Sequence, residues 1–202
     1  MKNESEFFRD IMGELSNIGA GGAAASLSKL LNKKVYIEIP GAHMAHTKDG
    51  VHFNLQDEQI AIVCDVKFRR GEGNGDGKLF IISNNKSTDE GINILLDSNS
   101  ETEDFGKMEE SVVLEVGNIL GSSVANQIAN LMKSKILILP PKMVIDNPIL
   151  YAPNKLIEAF SVPLFYFYTE SKMKVENSSI SLNILLFPYS GFVEDVKNEF
   201  KC

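Results

Sequence analysis

The feature that most constrains this sequence is a stretch that occurs twice, 101 residues apart. The second copy begins at 108 with MEESVVLEVGNILGSSVANQIANL, and at this offset polar, small and apolar positions match the first copy in type. The defining pairs are Asp10 with Ser111, Glu14 with Glu115, Asn17 with Asn118, Gly21 with Ser122, and Pro40 with Pro141. Such a repeat predicts two copies of one structural unit that share a core.

Composition places the chain among globular proteins. Of its 202 residues, 44% are hydrophobic, and the net charge is −7 with a pI near 5.1. This charge argues against a nucleic-acid partner, because phosphate binding needs clustered Lys and Arg. The N-terminus is polar and no apolar run approaches the ~20 residues of a membrane helix. We therefore expect no signal peptide and no membrane insertion. The presence of only two cysteines, Cys64 and Cys202, fits a reducing cytoplasm.

Each copy of the repeat begins with a helical pattern, over residues 6–31 and 105–132, in which apolar and small residues recur every three or four positions. Asp10, Glu14 and Asn17 follow one another at i, i+4 and i+7. At ~100° per residue they fall within an arc of about 60°, so they form one polar stripe along the helix.

Small residues interrupt both predicted helices. The segment GAGGAAA at 19–25 is unusual in a helix, since each Gly costs roughly 1 kcal/mol relative to Ala. Gly117, Gly121, Ser122 and Ser123 make the second helix similarly small. We expect the two helices to cross closely with these small residues at their contact.

Strand patterns follow each helix. The predicted strands are 33–40, 59–69 and 77–84 in the first half, and 135–139, 156–170 and 179–188 in the second, with a short terminal helix at 191–201. Residues 41–58 are expected to form a solvated loop. The three histidines in that loop are predicted to be surface residues and not metal ligands, because no metal-binding motif accompanies them; they are His43, His46 and His52.

The predicted fold class is α/β of the α+β kind. We expect one domain, residues 1–202, made of two repeats at about 6–97 and 105–202. The repeats would be related by a pseudo-two-fold axis, with the two long helices packed together and the strands joined across the axis in one mixed sheet.

The repeated polar stripe suggests chemistry without an acid or base of its own. An Asn side chain is both donor and acceptor but neither acid nor base, so it can position a water molecule without activating it. A Glu one turn away can accept hydrogen bonds from a Lys of a partner. The sequence shows no nucleophile–histidine constellation, P-loop or zinc spacing. From the residues alone, two catalytic faces and two merely solvated helix faces both remain open.

At these residues the chain resembles the CheC family of response-regulator phosphatases, which includes CheC, CheX and FliY. The family motif is Asp or Ser, three residues, Glu, two residues, Asn, and a later Pro. The stretch from Asp10 to Pro40 fits it, and so does the stretch from Ser111 to Pro141. Two motifs in one chain are typical of CheC, whereas CheX carries one and dimerises.

The resemblance implies a hydrolase that removes the phosphoryl group from the phosphoaspartate of a CheY-type chemotaxis regulator. It implies regulator docking for Glu14 and Glu115, water orientation for Asn17 and Asn118, and support of each site by Asp10 and Ser111. Mg²⁺ would belong to the regulator, and the chain would need no cofactor of its own.

The resemblance also implies CheD, a receptor deamidase, as a further partner of a cytoplasmic monomer. The alternative is a non-catalytic adaptor that captures the phosphorylated regulator or CheD. A third hypothesis is a component of the flagellar switch.

Overall fold

The computed structural model describes residues 4–46, 59–70, 73–84, 87, 91–94, 105–145, 165–176, 178–189 and 191–200. In chain order the elements are α1 (Glu4–Leu31), β1 (Val35–Glu38), β2 (Ala42–His46), β3 (Gln59–Arg70), β4 (Gly73–Asn84), α2 (Phe105–Leu131), β5 (Lys135–Ile138), β6 (Lys142–Ile145), β7 (Phe165–Val175), β8 (Ser178–Phe187) and α3 (Phe192–Phe200). None of the helices in these ranges is long and apolar enough to cross a membrane.

The eight described strands form one sheet with the order β1-β7-β8-β4-β3-β5, in which β2 also pairs with β7 and β6 also pairs with β3. The predicted class of helices combined with a sheet is confirmed. β4 pairs with β8 at the centre, so the two halves do join there as expected. The prediction of a mixed sheet was wrong for the described strands, since each of their pairings is antiparallel. Short connections such as 176–177 join neighbouring strands, and such hairpins are antiparallel.

The strand register repeats between the halves. The matching partners are Ile37 with Met173 and Ile138 with Val66, and likewise Ala42 with Thr169 and Met143 with Ile62. A shift of 101 residues relates β1 and β2 to β5 and β6, and a shift of 107 relates β3 to β7. The same two shifts therefore convert the pairing of β1 with β7 into that of β5 with β3, and the pairing of β2 with β7 into that of β6 with β3. This agreement supports the proposal of two repeats about a pseudo-two-fold axis.

The main core lies between the two long helices and one face of the sheet. Its buried side chains include Met12, Leu15 and Leu27 of α1, Val113, Val116, Leu120 and Ile128 of α2, and Ile62, Cys64, Leu79 and Ile81 of the strands. The opposite face of the central strands is also buried, around Phe80, Tyr166 and Phe187. The Phe187 ring centroid lies 5.5 Å from that of Phe80 and 5.3 Å from that of Tyr166. Burial on both faces explains the nearly continuous apolar run in β8.

The small residues of the helices serve two different contacts. A Cβ atom added at Gly19 would lie 3.5 Å from Gln127 Cγ and 3.7 Å from the Ser123 carbonyl oxygen, so α1 does approach α2 closely there. Gly117, however, faces the sheet, where an added Cβ would lie 2.6 Å from Ile62 Cγ2. Gly121 likewise faces Leu79, Ile138 and Cys64. The expectation that Gly117 and Gly121 lie at the helix–helix contact was therefore wrong.

Both long helices end at equivalent positions. Asn32 and Lys133, 101 residues apart, adopt left-handed backbone conformations with φ of 51° and 43°. At the second end, the Ser134 amide donates to the Ala129 carbonyl (3.0 Å) and the Lys133 amide donates to the Asn130 carbonyl (3.3 Å). This pattern is a Schellman motif, which satisfies the last carbonyls of the helix and turns the chain toward β5.

Several predicted boundaries were wrong, among them the start of β4, which begins at Gly73 and not at residue 77. Residues 42–46 form β2 and not a loop, and residues 142–145 form β6; both strands draw their hydrogen bonds from a neighbouring long strand, which local sequence does not reveal. β7 extends to Val175, because its last residues pair with β1 on one side and β8 on the other. Within β7, Thr169 and Ser171 point inward and bond to each other at 3.1 Å. The predicted strand residues 156–164 lie outside the described part of the chain.

Candidate functional site

Both polar stripes predicted from the sequence lie on the surface of the long helices. We call Glu14 and Asn17 the first couple and Glu115 and Asn118 the second couple. Glu14, Asn17 and Glu115 are exposed and Asn118 is partly exposed. Three residues along an α-helix correspond to a rise of about 4.5 Å, so within each couple the carboxylate and the amide lie nearly one turn apart on one face.

The helices present these couples because apolar residues at helical spacing hold the other face against the sheet. In α1 the residues that do so include Phe8, Met12, Leu15 and Ala23, all buried. Leu15 is only 9% exposed although it directly follows the exposed Glu14. Rotation of the helix to hide the couple would therefore expose the core face, which fixes the outward direction of Glu14 and Asn17.

Neither couple is engaged within the described part of the chain by a hydrogen bond or an ion pair. Other exposed glutamates are engaged: Glu38 with Lys174 at 2.6 Å, Glu176 with Lys33 at 3.8 Å, and Glu194 with Lys197 at 3.3 Å. An exposed carboxylate and amide that have no partner of this kind are available to another molecule at little cost in protein stability.

The residues one turn before the couples differ. Asp10 is exposed and lies on the same face of α1 as Glu14. Ser111 is also exposed, but its hydroxyl donates a hydrogen bond of 3.0 Å to the Lys107 carbonyl of its own helix. The supporting role predicted for both residues stays a prediction.

The first couple opens onto a cleft between α1 and the edge of the sheet. Its lining comes from α1 (Arg9, Asp10, Gly13, Glu14, Asn17), from the turn at Ile39, Pro40, Gly41 and Ala42, and from His43 and Glu170. A Cβ atom added at Gly13 would meet no atom within 4 Å, so this glycine leaves the cleft open between the polar side chains. Pro40, the last residue of the first motif, thus contributes to the same cleft as Glu14 and Asn17.

His43 and Glu170 lie on the sheet side of this cleft. The His43 ring stacks on Tyr168 of the neighbouring strand, with centroids 4.8 Å apart and an angle of 21° between the planes. Partial burial raises the pKa of the Tyr168 hydroxyl, and the negative charge of nearby Glu170 raises this pKa further. His43 is exposed, as predicted for a surface histidine. His52 lies outside the described residues, and the side chain of His46 is not described.

The described residues contain no cluster of three or more His, Cys, Asp or Glu side chains that could hold a metal ion. The first cleft brings together carboxylates, one amide and one guanidinium, which can bind a cationic side chain and orient a polar molecule. Its chemistry is that of docking and positioning.

The sequence model of the CheC-like family matches residues 8–44 and 108–145, and each matched segment contains one couple. A CheY-P phosphatase, CheC, from Bacillus subtilis (strain 168) is 32% identical over 141 residues, or 68% of this chain. The chain belongs to the CheC-like family. The aligned stretch spans 66% of that relative.

A second relative of this CheC-like chain is the flagellar motor switch phosphatase FliY of the same strain, 28% identical over 139 residues, or 69% of the chain and 36% of FliY. Neither relative is matched over its whole length. Among solved structures, Thermotoga maritima FliY superposes with a TM-score of 0.66 at 20% identity, covering 100% of this chain and 97% of that one. The CheX–CheY–BeF3–Mg complex from Borrelia burgdorferi contains a chain that matches with a TM-score of 0.53 at 13% identity, covering 85% and 96%. At these identities the two structures establish a shared fold.

Two residues of the CheC-like first cleft were not predicted from the sequence. His43 was assigned to a loop, and Glu170 was placed only within a strand. Both reach the cleft because β2 and β1 pair with β7, on either side of the turn at Pro40. No local pattern marks these residues, since their position depends on the pairing of distant strands.

Proposed function

We propose that this CheC-like protein hydrolyses the phosphoaspartate of a CheY-type response regulator. In this proposal Asn17 and Asn118 orient the attacking water, and Glu14 and Glu115 dock the regulator. The observation that carries the proposal is that both couples lie on the surface, fully or in part, with a carboxylate one turn from an amide. No hydrogen bond or ion pair from the described residues engages these side chains. The phosphatase names of its CheC-like relatives support the same activity.

The amide suits this reaction because it positions a water molecule without changing its protonation. Its Oδ1 accepts a hydrogen bond from the water, which restricts the water to a line of attack on phosphorus. A bond forms between the water oxygen and phosphorus, and the bond between phosphorus and the aspartyl oxygen breaks. The products are inorganic phosphate, which keeps the water's protons, and the free aspartate carboxylate.

The regulator would supply the rest of the active site. Its Mg²⁺, a component also of the CheX–CheY–BeF3–Mg complex, would neutralise charge on the phosphoryl oxygens. Glu14 or Glu115 would accept hydrogen bonds from a Lys of the regulator, an interaction stronger than one between neutral groups.

The test is the lifetime of the phosphoaspartate with wild-type protein and with the Asn17→Ala/Asn118→Ala variant. We expect the variant to lose roughly 100-fold of the stimulated rate, because the amides position the nucleophile. Asn126→Ala is a matched control, since Asn126 is exposed on α2 outside both couples. Ala favours helix more than Asn does, so neither variant should unfold a helix. A wild-type rate in the double variant would remove Asn17 and Asn118 from the mechanism.

The same experiment separates the adaptor hypothesis. An adaptor would bind the phosphorylated regulator more tightly than the unphosphorylated one while the phosphate lifetime stayed unchanged. Binding of CheD, a monomeric state and a cytoplasmic location stay predictions of the family resemblance.

A further inference from the structure

The two couples have different surroundings, and this difference points to a further residue of the first site. The inference rests on the proposed function, because it assigns a docking role within the same cleft. Glu170 belongs to β7, in the second half of the chain, yet it lines the cleft of the first couple together with Glu14 and Asn17. The first site is thus assembled from both halves.

The register identifies what replaces Glu170 at the second couple. The shift of 107 residues that relates β3 to β7 places Val63 at the position equivalent to Glu170. On α1 and β2, Gly13 and His43 correspond to Leu114 and Val144 at the 101-residue offset. The first cleft therefore has a carboxylate, an imidazole and an open helix position where the second half has three aliphatic residues.

The Glu170 carboxylate is available for an intermolecular contact. The side chain is exposed, and no hydrogen bond or ion pair from the described residues engages it. The next charged residue on this face of β7 is the exposed Lys172, and beyond it Lys174 is paired with Glu38 at 2.6 Å. Glu170 thus differs from Glu38, whose carboxylate is held in an ion pair.

Glu170 gives the first cleft a carboxylate that comes from the sheet. Glu14 projects from the helix side, whereas Glu170 lies on the sheet side beside the stacked His43 and Tyr168. Because Thr169 and Ser171 point toward the helices, Glu170 leaves β7 on the other face of the sheet and reaches the cleft at the sheet edge, beside Gly41. A basic residue on the rim of a partner that lies against this edge can pair with Glu170 while Glu14 contacts a different residue of the partner. At the second couple Val63 is aliphatic, so a basic side chain there would meet no such carboxylate at this position.

We propose that Glu170 is a specificity-determining residue of the first couple, which pairs with a Lys or Arg on the rim of the regulator's active site. The first couple then prefers regulators with a basic residue at that place, while the second couple does not distinguish them. An exposed ion pair of this kind changes affinity by about two- to fivefold, and salt weakens it.

The experiment isolates each couple before Glu170 is changed. Asn118→Ala leaves the first couple active, and Asn17→Ala leaves the second. In the Asn118→Ala background, Glu170→Gln should raise KM for the phosphorylated regulator about two- to fivefold with kcat unchanged. The increase should vanish at 1 M salt, where the Debye length is about 3 Å. In the Asn17→Ala background, Glu170→Gln should leave KM unchanged.

Two further variants sharpen the assignment. Glu176→Gln is the matched control, because Glu176 directly follows β7 but does not line the cleft; it should leave KM unchanged in both backgrounds. Glu170→Val installs the residue of the second site and should reproduce the effect of Glu170→Gln. An unchanged KM with Glu170→Gln in the Asn118→Ala background would overturn the proposal, and so would an equal rise in both backgrounds.

A binding measurement keeps this inference separate from the proposed hydrolysis. The probe is the regulator loaded with beryllofluoride, and Glu115→Ala removes docking at the second couple. Glu170→Gln should then raise Kd about two- to fivefold, even if the asparagines prove to have no role in hydrolysis. An unchanged Kd would overturn the role of Glu170 while leaving the phosphatase proposal intact.

Discussion

Gly22 and Ser123, which occupy equivalent positions 101 residues apart, lie against each other where α1 meets α2. A Cβ atom added at Gly22 would be 3.8 Å from Ser123 Oγ. Contact between equivalent residues is what a two-fold axis produces at the place where it passes through a structure. The helix crossing therefore supports a pseudo-axis between these two residues, as the strand registers also do.

If the couples act independently, each single Asn variant should keep part of the phosphatase activity. We expect the stimulated rates of Asn17→Ala and Asn118→Ala to add up to the wild-type rate, since each couple lies on its own helix. Single-turnover dephosphorylation at limiting regulator measures both rates. Complete loss of activity in one single variant would show that only one couple is catalytic.

The glutamates should affect binding more than the chemical step. Glu14→Ala in the Asn118→Ala background removes a charged docking group, which is worth about 1.5–3 kcal/mol when hydrogen-bonded. KM should rise roughly tenfold or more, while kcat changes little. The melting temperature should stay the same, because Glu14 has no hydrogen bond or ion pair in the described structure. A fall in kcat at unchanged KM would contradict a docking role.

Two Gly→Ala substitutions should have opposite effects on the free energy of unfolding. Gly21→Ala meets no atom within 4 Å, so it should stabilise α1 by about 0.5–1 kcal/mol through helix propensity. Gly117→Ala places Cβ 2.6 Å from Ile62 Cγ2, a branched side chain that is only 6% exposed. We expect it to destabilise the protein by about 1 kcal/mol or more, because overpacking outweighs the propensity gain. Urea denaturation of the two variants measures this contrast.

The Cys64 thiol should be protected in the folded protein. Burial raises its pKa to about 11 from 9.0, with a smaller contribution from the charge of Asp65. Because the folded state holds the proton more tightly, the stabilisation is complete below about pH 9 and is lost as pH rises toward 11.

Alkylation provides the measurement for Cys64. In a Cys202→Ser variant, Cys64 is the remaining thiol of the sequence, and iodoacetamide at pH 8 should modify it only after denaturant is added. Rapid modification of the native protein would contradict its burial.

The sequence alone was sufficient to predict the helices and the couples, because both follow from local periodicity. Glu14 and Asn17 share one face through helix geometry, and the exposed face follows from the apolar residues beside them. The hairpin of β3 and β4 was likewise local.

Residues whose environment comes from distant strands could not be predicted in this way. β2 is short and follows Pro40, and its strand conformation depends on hydrogen bonds from β7. Glu170 reaches the first cleft for the same reason. Gly117 was assigned to the wrong contact, because helical periodicity does not indicate whether a small residue faces another helix or the sheet.

The pairing of β1 and β2 with β7, and of β5 and β6 with β3, means that the short strands of each half depend on the hairpin of the other half. A mutation that weakens one hairpin therefore disturbs the short strands beside the long helix of the other half. Natural selection for one couple alone would therefore still preserve most of the strands and hairpins that support the other couple. A protein with this architecture can lose one couple by a single point substitution, but it cannot discard the corresponding half of its chain without losing the fold.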